Sequence, residues 1–190
     1  MKLRLNQRGF TLLEVIIAAF ITVILAVASF NFYSTMHDQS ETQFNVSEMN
    51  QLARTSMYDI RKNLIQAGFK LGAGHPPYEI NGDTLAIYYS LTLPVDTVQY
   101  YLVEFSPAEY ADLPDLPAGD KLYKLMKKVN STPETIFANY IKSINYNQLD
   151  SANVVVNINV QAMRSDDSYA PNDGFRVYSL SERINIRNVE

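Results

Sequence analysis

The 190-residue sequence predicts an α+β fold: a long N-terminal helix packed on an antiparallel β-sheet head. Three observations predict it. Residues 10–32 form an apolar run with one charge. No proline or glycine follows from residue 33 until Gly68, and apolar or small residues recur there at steps of three and four. Beyond Gly68, short alternating runs are separated by proline, glycine and asparagine, the punctuation of strands and turns.

Residues 1–9, MKLRLNQRG, are short, polar and basic, and are expected to be a leader. Residues 10–32, FTLLEVIIAAFITVILAVASFNF, contain Glu14 as their only charge. As a helix these 23 residues rise about 34 Å at ~1.5 Å each. That matches a hydrocarbon core of about 30 Å. The basic leader should then stay cytoplasmic and the remainder should cross.

Residues 33–68 are expected to continue the helix as an amphipathic stretch. Phe44, Met49, Leu52, Ala53, Met57, Ile60, Leu64 and Ala67 would line one face, and Glu48, Arg54, Asp59, Arg61 and Lys62 the other. Asp59 and Lys62 form a candidate i,i+3 ion pair. Gly68 is the stop.

Residues 69–190 are the predicted head. Asn81-Gly82 signals a hairpin. Residues 85–89, 98–105, 122–129 (lysines outward), 153–163 and 175–187 are expected strands, and 107–120 and 164–174 loops. Thr132-Pro133-Glu134 has the form of an N-cap followed by proline, opening a short helical turn. Val154, Val156, Ile158 and Val160 alternate with Asn153, Asn157, Asn159 and Gln161, the pattern of a half-buried antiparallel strand.

The N-terminus admits three readings. An ordinary secretory signal would be cut near Ala26-Val27-Ala28, although its apolar core is normally only ~7–15 residues long. A plain signal anchor would leave Glu14 a tolerated oddity. The third rests on Gly9-Phe10-Thr11-Leu12-Leu13-Glu14, which resembles the prepilin motif of type IV pilins and type II secretion pseudopilins. That resemblance implies cleavage after Gly9 by prepilin peptidase and N-methylation of Phe10. Glu14, fifth in the trimmed chain, would pair in the assembled filament with the new amine of a neighbouring subunit. An ionised carboxylate in a membrane helix costs about 2.5–3.5 kcal/mol on insertion scales, so a partner for it matters. The resemblance also implies a place in the bacterial inner membrane, head periplasmic, before incorporation into a pilus or pseudopilus. Its implied partners are other pilins or pseudopilins, the inner-membrane assembly platform and the lipid bilayer. Asn31 stands where many major pilins carry a helix-kinking proline.

Two further stretches resemble W-type minor pilins and J-type pseudopilins: residues 58–69, YDIRKNLIQAGF, and Ile184-Asn185-Ile186-Arg187-Asn188. In the first, Asn63 and Ile65 replace the acid and arginine usual there. The implied function is a non-enzymatic minor subunit that primes pilus assembly or sits at the tip. The alternatives are a J-type secretion pseudopilin and, from another class, a signal-anchored periplasmic binding or enzymatic domain.

Composition narrows the rest. Without Lys2, Arg4 and Arg8, 13 basic residues face 20 acidic ones, a formal −7. No basic stripe supports nucleic-acid binding. The absence of cysteine rules out disulfides, thiol nucleophiles and cysteine zinc sites. His37 and His75 lack a ligand-spaced partner, and Gly72-Ala73-Gly74 lacks the lysine and helix of a phosphate loop. No cofactor is expected. Asp166, Asp167 and Asp173 offer oxygen ligands for Ca²⁺, which some pseudopilins bind in a loop near the C-terminus; a solvated loop is the plainer reading. Most of the 13 tyrosines are expected in the sheet.

Overall fold

The structure is a computed structural model that describes residues 11–72, 74–90, 95–111, 113, 116, 119–165, 169 and 171–188. Helix α1 (Leu12–Gln66) is followed by β1 (Tyr78–Asn81), β2 (Thr84–Tyr89), β3 (Asp96–Glu104), α2 (Pro107–Ala111), β4 (Tyr123–Val129), β5 (Thr135–Asp150), β6 (Asn153–Gln161), a 3₁₀ turn (Pro171–Gly174) and β7 (Val177–Asn185). The fold is α+β. The chain divides into two units, Met1–Gln43 and Phe44–Glu190.

In the second unit the seven strands form one sheet in sequence order, antiparallel at every ladder. Neighbours in the chain are neighbours in the sheet, so each connection is a hairpin or a short excursion. At the β1–β2 turn Asn81 faces Thr84. Gly82, with φ 60°, holds the position where a type II′ turn takes glycine.

Met49, Ala53, Met57, Ile60 and Leu64 of α1 are buried. They meet the inward residues of every strand pair, among them Leu85, Tyr100, Leu125, Ile144, Val156 and Ile184. A fully buried large aliphatic side chain is worth about 1.5–3 kcal/mol, so this stripe is the main attachment of helix to sheet. The predicted face needs one correction at each end of its polarity scale. Phe44 is exposed, whereas Ser56 and Asn63 lie on the buried side.

Asn63 is buried because it is used. Its side-chain amide donates to the Tyr100 hydroxyl at 2.6 Å and to the Asp59 carbonyl at 2.9 Å. Tyr100 donates to the Asp59 carboxylate at 2.5 Å, and Lys127 of β4 reaches the same oxygen at 2.6 Å. The Lys127 ammonium also lies over the rings of Tyr100 and Phe137. Asp59 therefore pairs across to the sheet with Lys127, not along the helix with Lys62. Lys127 points inward, contrary to the expected outward row of lysines. Nearby, Arg61 pairs with Glu182 of β7 at 2.9 Å.

The end of α1 is closed by distant residues. Gly68 has φ 80°, and a Cβ there would run into the Asn188 carbonyl oxygen. The Asn188 side chain donates to the carbonyls of Ile65 and Ala67 at 3.4 and 3.3 Å. Two carbonyls left open by the helix end thus find a donor.

The 16-residue β5 departs most from expectation. Its ladders with β4 and β6 contain four register shifts, and each places the extra residue on β5. Bulges bend the strand that carries them; Tyr140, at φ 58°, lies within one. Residues 135–141 of β5 pair with β4 and residues 141–150 with β6, so the strand is the hinge line of the sheet. No helical turn forms at Thr132-Pro133-Glu134. The Thr132 amide and hydroxyl both donate to the Val129 carbonyl, closing the β4–β5 turn. The expected 107–120 loop contains α2, and its Leu113 joins Phe105 and Leu122 in a second small core.

Candidate functional site

The candidate site is the start of α1. Thr11 and Glu14 set that start jointly. The Thr11 amide and hydroxyl donate to Glu14 Oε2 at 2.8 and 3.0 Å. The Glu14 amide donates back to Thr11 Oγ1 at 3.3 Å. This is a reciprocal capping box, in which an N-cap hydroxyl and the acid three residues on satisfy each other's backbone amides. The carboxylate also lies at the positive end of the helix dipole. Glu14 is thus held by its own first turn. Sequence reasoning took Thr11 only as part of a string, although T-x-x-E is itself a visible capping signal.

Beyond that turn, α1 presents apolar side chains to its surroundings. Ile16, Ile17, Phe20, Ile24 and Phe30 are all exposed. The most apolar 18-residue window of the helix has a mean hydropathy of 2.6 and none of it is buried, so the helix is long and apolar enough to cross a membrane. Two of its hydroxyls are satisfied within the helix: Thr22 donates to the Ala18 carbonyl at 2.8 Å and Thr35 to the Asn31 carbonyl at 3.0 Å. Such back-bonding lets a hydroxyl enter hydrocarbon without an orphan donor. The helix runs uninterrupted through Asn31.

Gly9 and Phe10, the residues of the expected cut, lie outside the described residues, as do Asp166 and Asp167. Asp173 falls in the 3₁₀ turn. Among the described residues no group of three or more His, Asp or Glu is placed to hold a metal ion. His37 stacks on Tyr33 at 6.4 Å, and His75 is exposed in the segment after α1.

Residues 4–30 match the family model of the prokaryotic N-terminal methylation motif. The match takes in residues 4–8 of the basic N-terminal segment, Gly9, Phe10, the capping box and most of the apolar run. No curated protein and no solved structure matches the chain.

Proposed function

We propose, from the N-terminal methylation motif that marks type IV pilin-like and pseudopilin proteins, that this chain is a minor structural subunit of a type IV pilus, one that primes assembly or sits at the tip. The motif implies processing by prepilin peptidase and assembly with other pilins. The motif and the apolar helix together point to membrane insertion. The finer reading divides the chain into a leader (1–9), a membrane and filament-core helix (10–32), its amphipathic continuation (33–68) and the head (69–190). Cleavage falls between Gly9 and Phe10, Phe10 is methylated, and the chain catalyses no reaction of its own.

The observation that carries this reading is Glu14 in an otherwise apolar, exposed helix. Among the described residues its carboxylate accepts from the amide and hydroxyl of Thr11. Its charge is not neutralised by them. Cleavage creates an ammonium four residues upstream, and in a bundle of such helices the amine of one subunit meets the Glu14 carboxylate of another. Pairing two charges in a low-dielectric bundle removes the penalty of leaving each alone. The capping box keeps the carboxylate tolerable in the bilayer until then. The J-type pseudopilin reading shares all of these steps and differs in partners; the W/J-like strings of residues 58–69 and 184–188 fit both.

N-terminal mass spectrometry of the membrane-purified protein tests the reading. Methyl-Phe10 is the expected first residue. A chain that keeps its basic leader, or begins at Ser29, overturns it. A bulky residue at Gly9 should leave only the uncut precursor. Glu14→Ala should still insert and be cut but enter filaments poorly; normal incorporation would remove the pairing role.

A further inference from the structure

The outward face of the sheet carries a cleft where β3 begins and β4 ends. It measures about 520 Å³ and is lined by Val95, Asp96, Thr97, Gln99, Lys128, Asn130 and Ser131. That volume is within the range of small-molecule sites, about 300–1,000 Å³. The lining is built rather than incidental. Asn130 holds φ 52°. Its carbonyl oxygen Oδ1 accepts from the Thr97 amide at 2.7 Å, and its Nδ2 donates to Asp96 Oδ1 at 3.0 Å. Its backbone amide donates to the Thr97 carbonyl at 2.8 Å. One asparagine thus ties the turn to the first residues of β3 and fixes the carboxylate of Asp96. Gln99 and Lys128 face each other across the ladder.

The chemistry of this lining is selective. Among the described residues it has one aliphatic side chain, Val95, too little for a lipid or a drug-like apolar group. Among the described lining residues the one cation, Lys128, has the Glu134 carboxylate 3.9 Å away and shares the cleft with Asp96, so a phosphate would meet no net positive charge from them. What remains is an alternation of amides, hydroxyls, a carboxylate and an ammonium, donors and acceptors spaced along two strands. Tyr88 is the cross-strand partner of Thr97 on the same outward face and is half-buried. Its hydroxyl donates to Glu79 of β1 at 3.1 Å, on the side of β2 away from β4, so among the described residues no aromatic ring lines the cleft.

We propose that the Asp96–Gln99–Lys128–Asn130 cleft is a binding site for a neutral saccharide. The amides and the Asp96 carboxylate take its hydroxyls. The proposal rests on the cleft and is independent of which filament the chain joins.

The test uses the full chain in micelles of a detergent without a sugar headgroup. The probes are short neutral oligosaccharides of hexoses and N-acetylhexosamines, and inorganic phosphate. On titration with at least one oligosaccharide, the side-chain amide signals of Gln99 and Asn130 should shift saturably. Gln99→Ala should weaken that binding by about tenfold, the worth of one good hydrogen bond. Ser181→Ala, on β7, should leave it unchanged. The proposal is overturned by a panel that shifts neither amide, by shifts that arise with phosphate instead, or by equal binding in a folded Gln99→Ala protein. A chain found with its leader uncut would defeat the filament reading and leave this result untouched.

Discussion

Residues 12–43 and 44–66 belong to one helix yet solve opposite problems. In the first stretch large apolar side chains such as Ile17, Phe20 and Ile24 are exposed, and threonine hydroxyls bond locally: Thr11 to the Glu14 carboxylate, Thr22 to the Ala18 carbonyl, Thr35 to the Asn31 carbonyl. In the second, the apolar stripe is covered by the sheet, and polar groups reach across to it: Asp59 to Lys127, Asn63 to Tyr100, Arg61 to Glu182. Helix formation is common to both. What differs is where the covering comes from. The second stretch finds it within the chain; the first must find it in lipid or in another molecule.

This contrast can be broken by substitution. The largest effect should come from Leu64, which is fully buried. Leu64→Ala should cost the head about 2–5 kcal/mol in denaturant unfolding of the full chain. Ile24→Ala, at a site 52% exposed, should leave head unfolding unmoved. Similar losses from both would erase the distinction.

A smaller effect should follow at the polar crossing. Asp59→Asn keeps the shape but removes the charge facing Lys127 and Tyr100. A loss of about 1.5–3 kcal/mol is expected for hydrogen bonds to a charged group. Lys62→Met should change stability little, because Lys62 is not the partner of Asp59. The reverse ranking would restore the intrahelical pair.

The smallest effect lies at an ion pair beside the second core, where Lys124 sits over the Phe105 ring. Lys124, bonded to Glu109, together with the Ser106 amide and hydroxyl, holds the Glu109 carboxyl down at about 2, against an ordinary 4.5. A depressed carboxyl stabilises the fold above its unfolded value, and that stabilisation is lost as pH falls through the folded one. The stability gap between wild type and Glu109→Gln should therefore narrow from pH 4.5 to pH 2. A gap constant with pH would remove Glu109 from the acid response.

Much of this was legible in the sequence because it is written in local periods. The three-four spacing of Met49, Ala53, Met57, Ile60 and Leu64 marked the buried helix face, and the two-residue alternation of 154–160 marked β6. β5 was missed because its four bulges destroy the period that reveals a strand. The inward turn of Lys127 was hidden for another reason: its partner lies 68 residues earlier, so nothing nearby distinguished it from a solvated lysine. At the candidate site, Glu14 was conspicuous as a lone acid among apolar residues. Its grip on Thr11 was equally readable but was overshadowed by the longer motif.

The closure of α1 by Asn188 sets an order of events. The helix end at Ile65–Ala67 waits for a donor 121 to 123 residues later in the chain. During synthesis the helix emerges early, while its final carbonyls and the Gly68 bend stay open until residue 188 arrives. Such a distant closure makes the head slow to finish relative to its own hairpins. A chain put to use before that moment would carry an unlatched head.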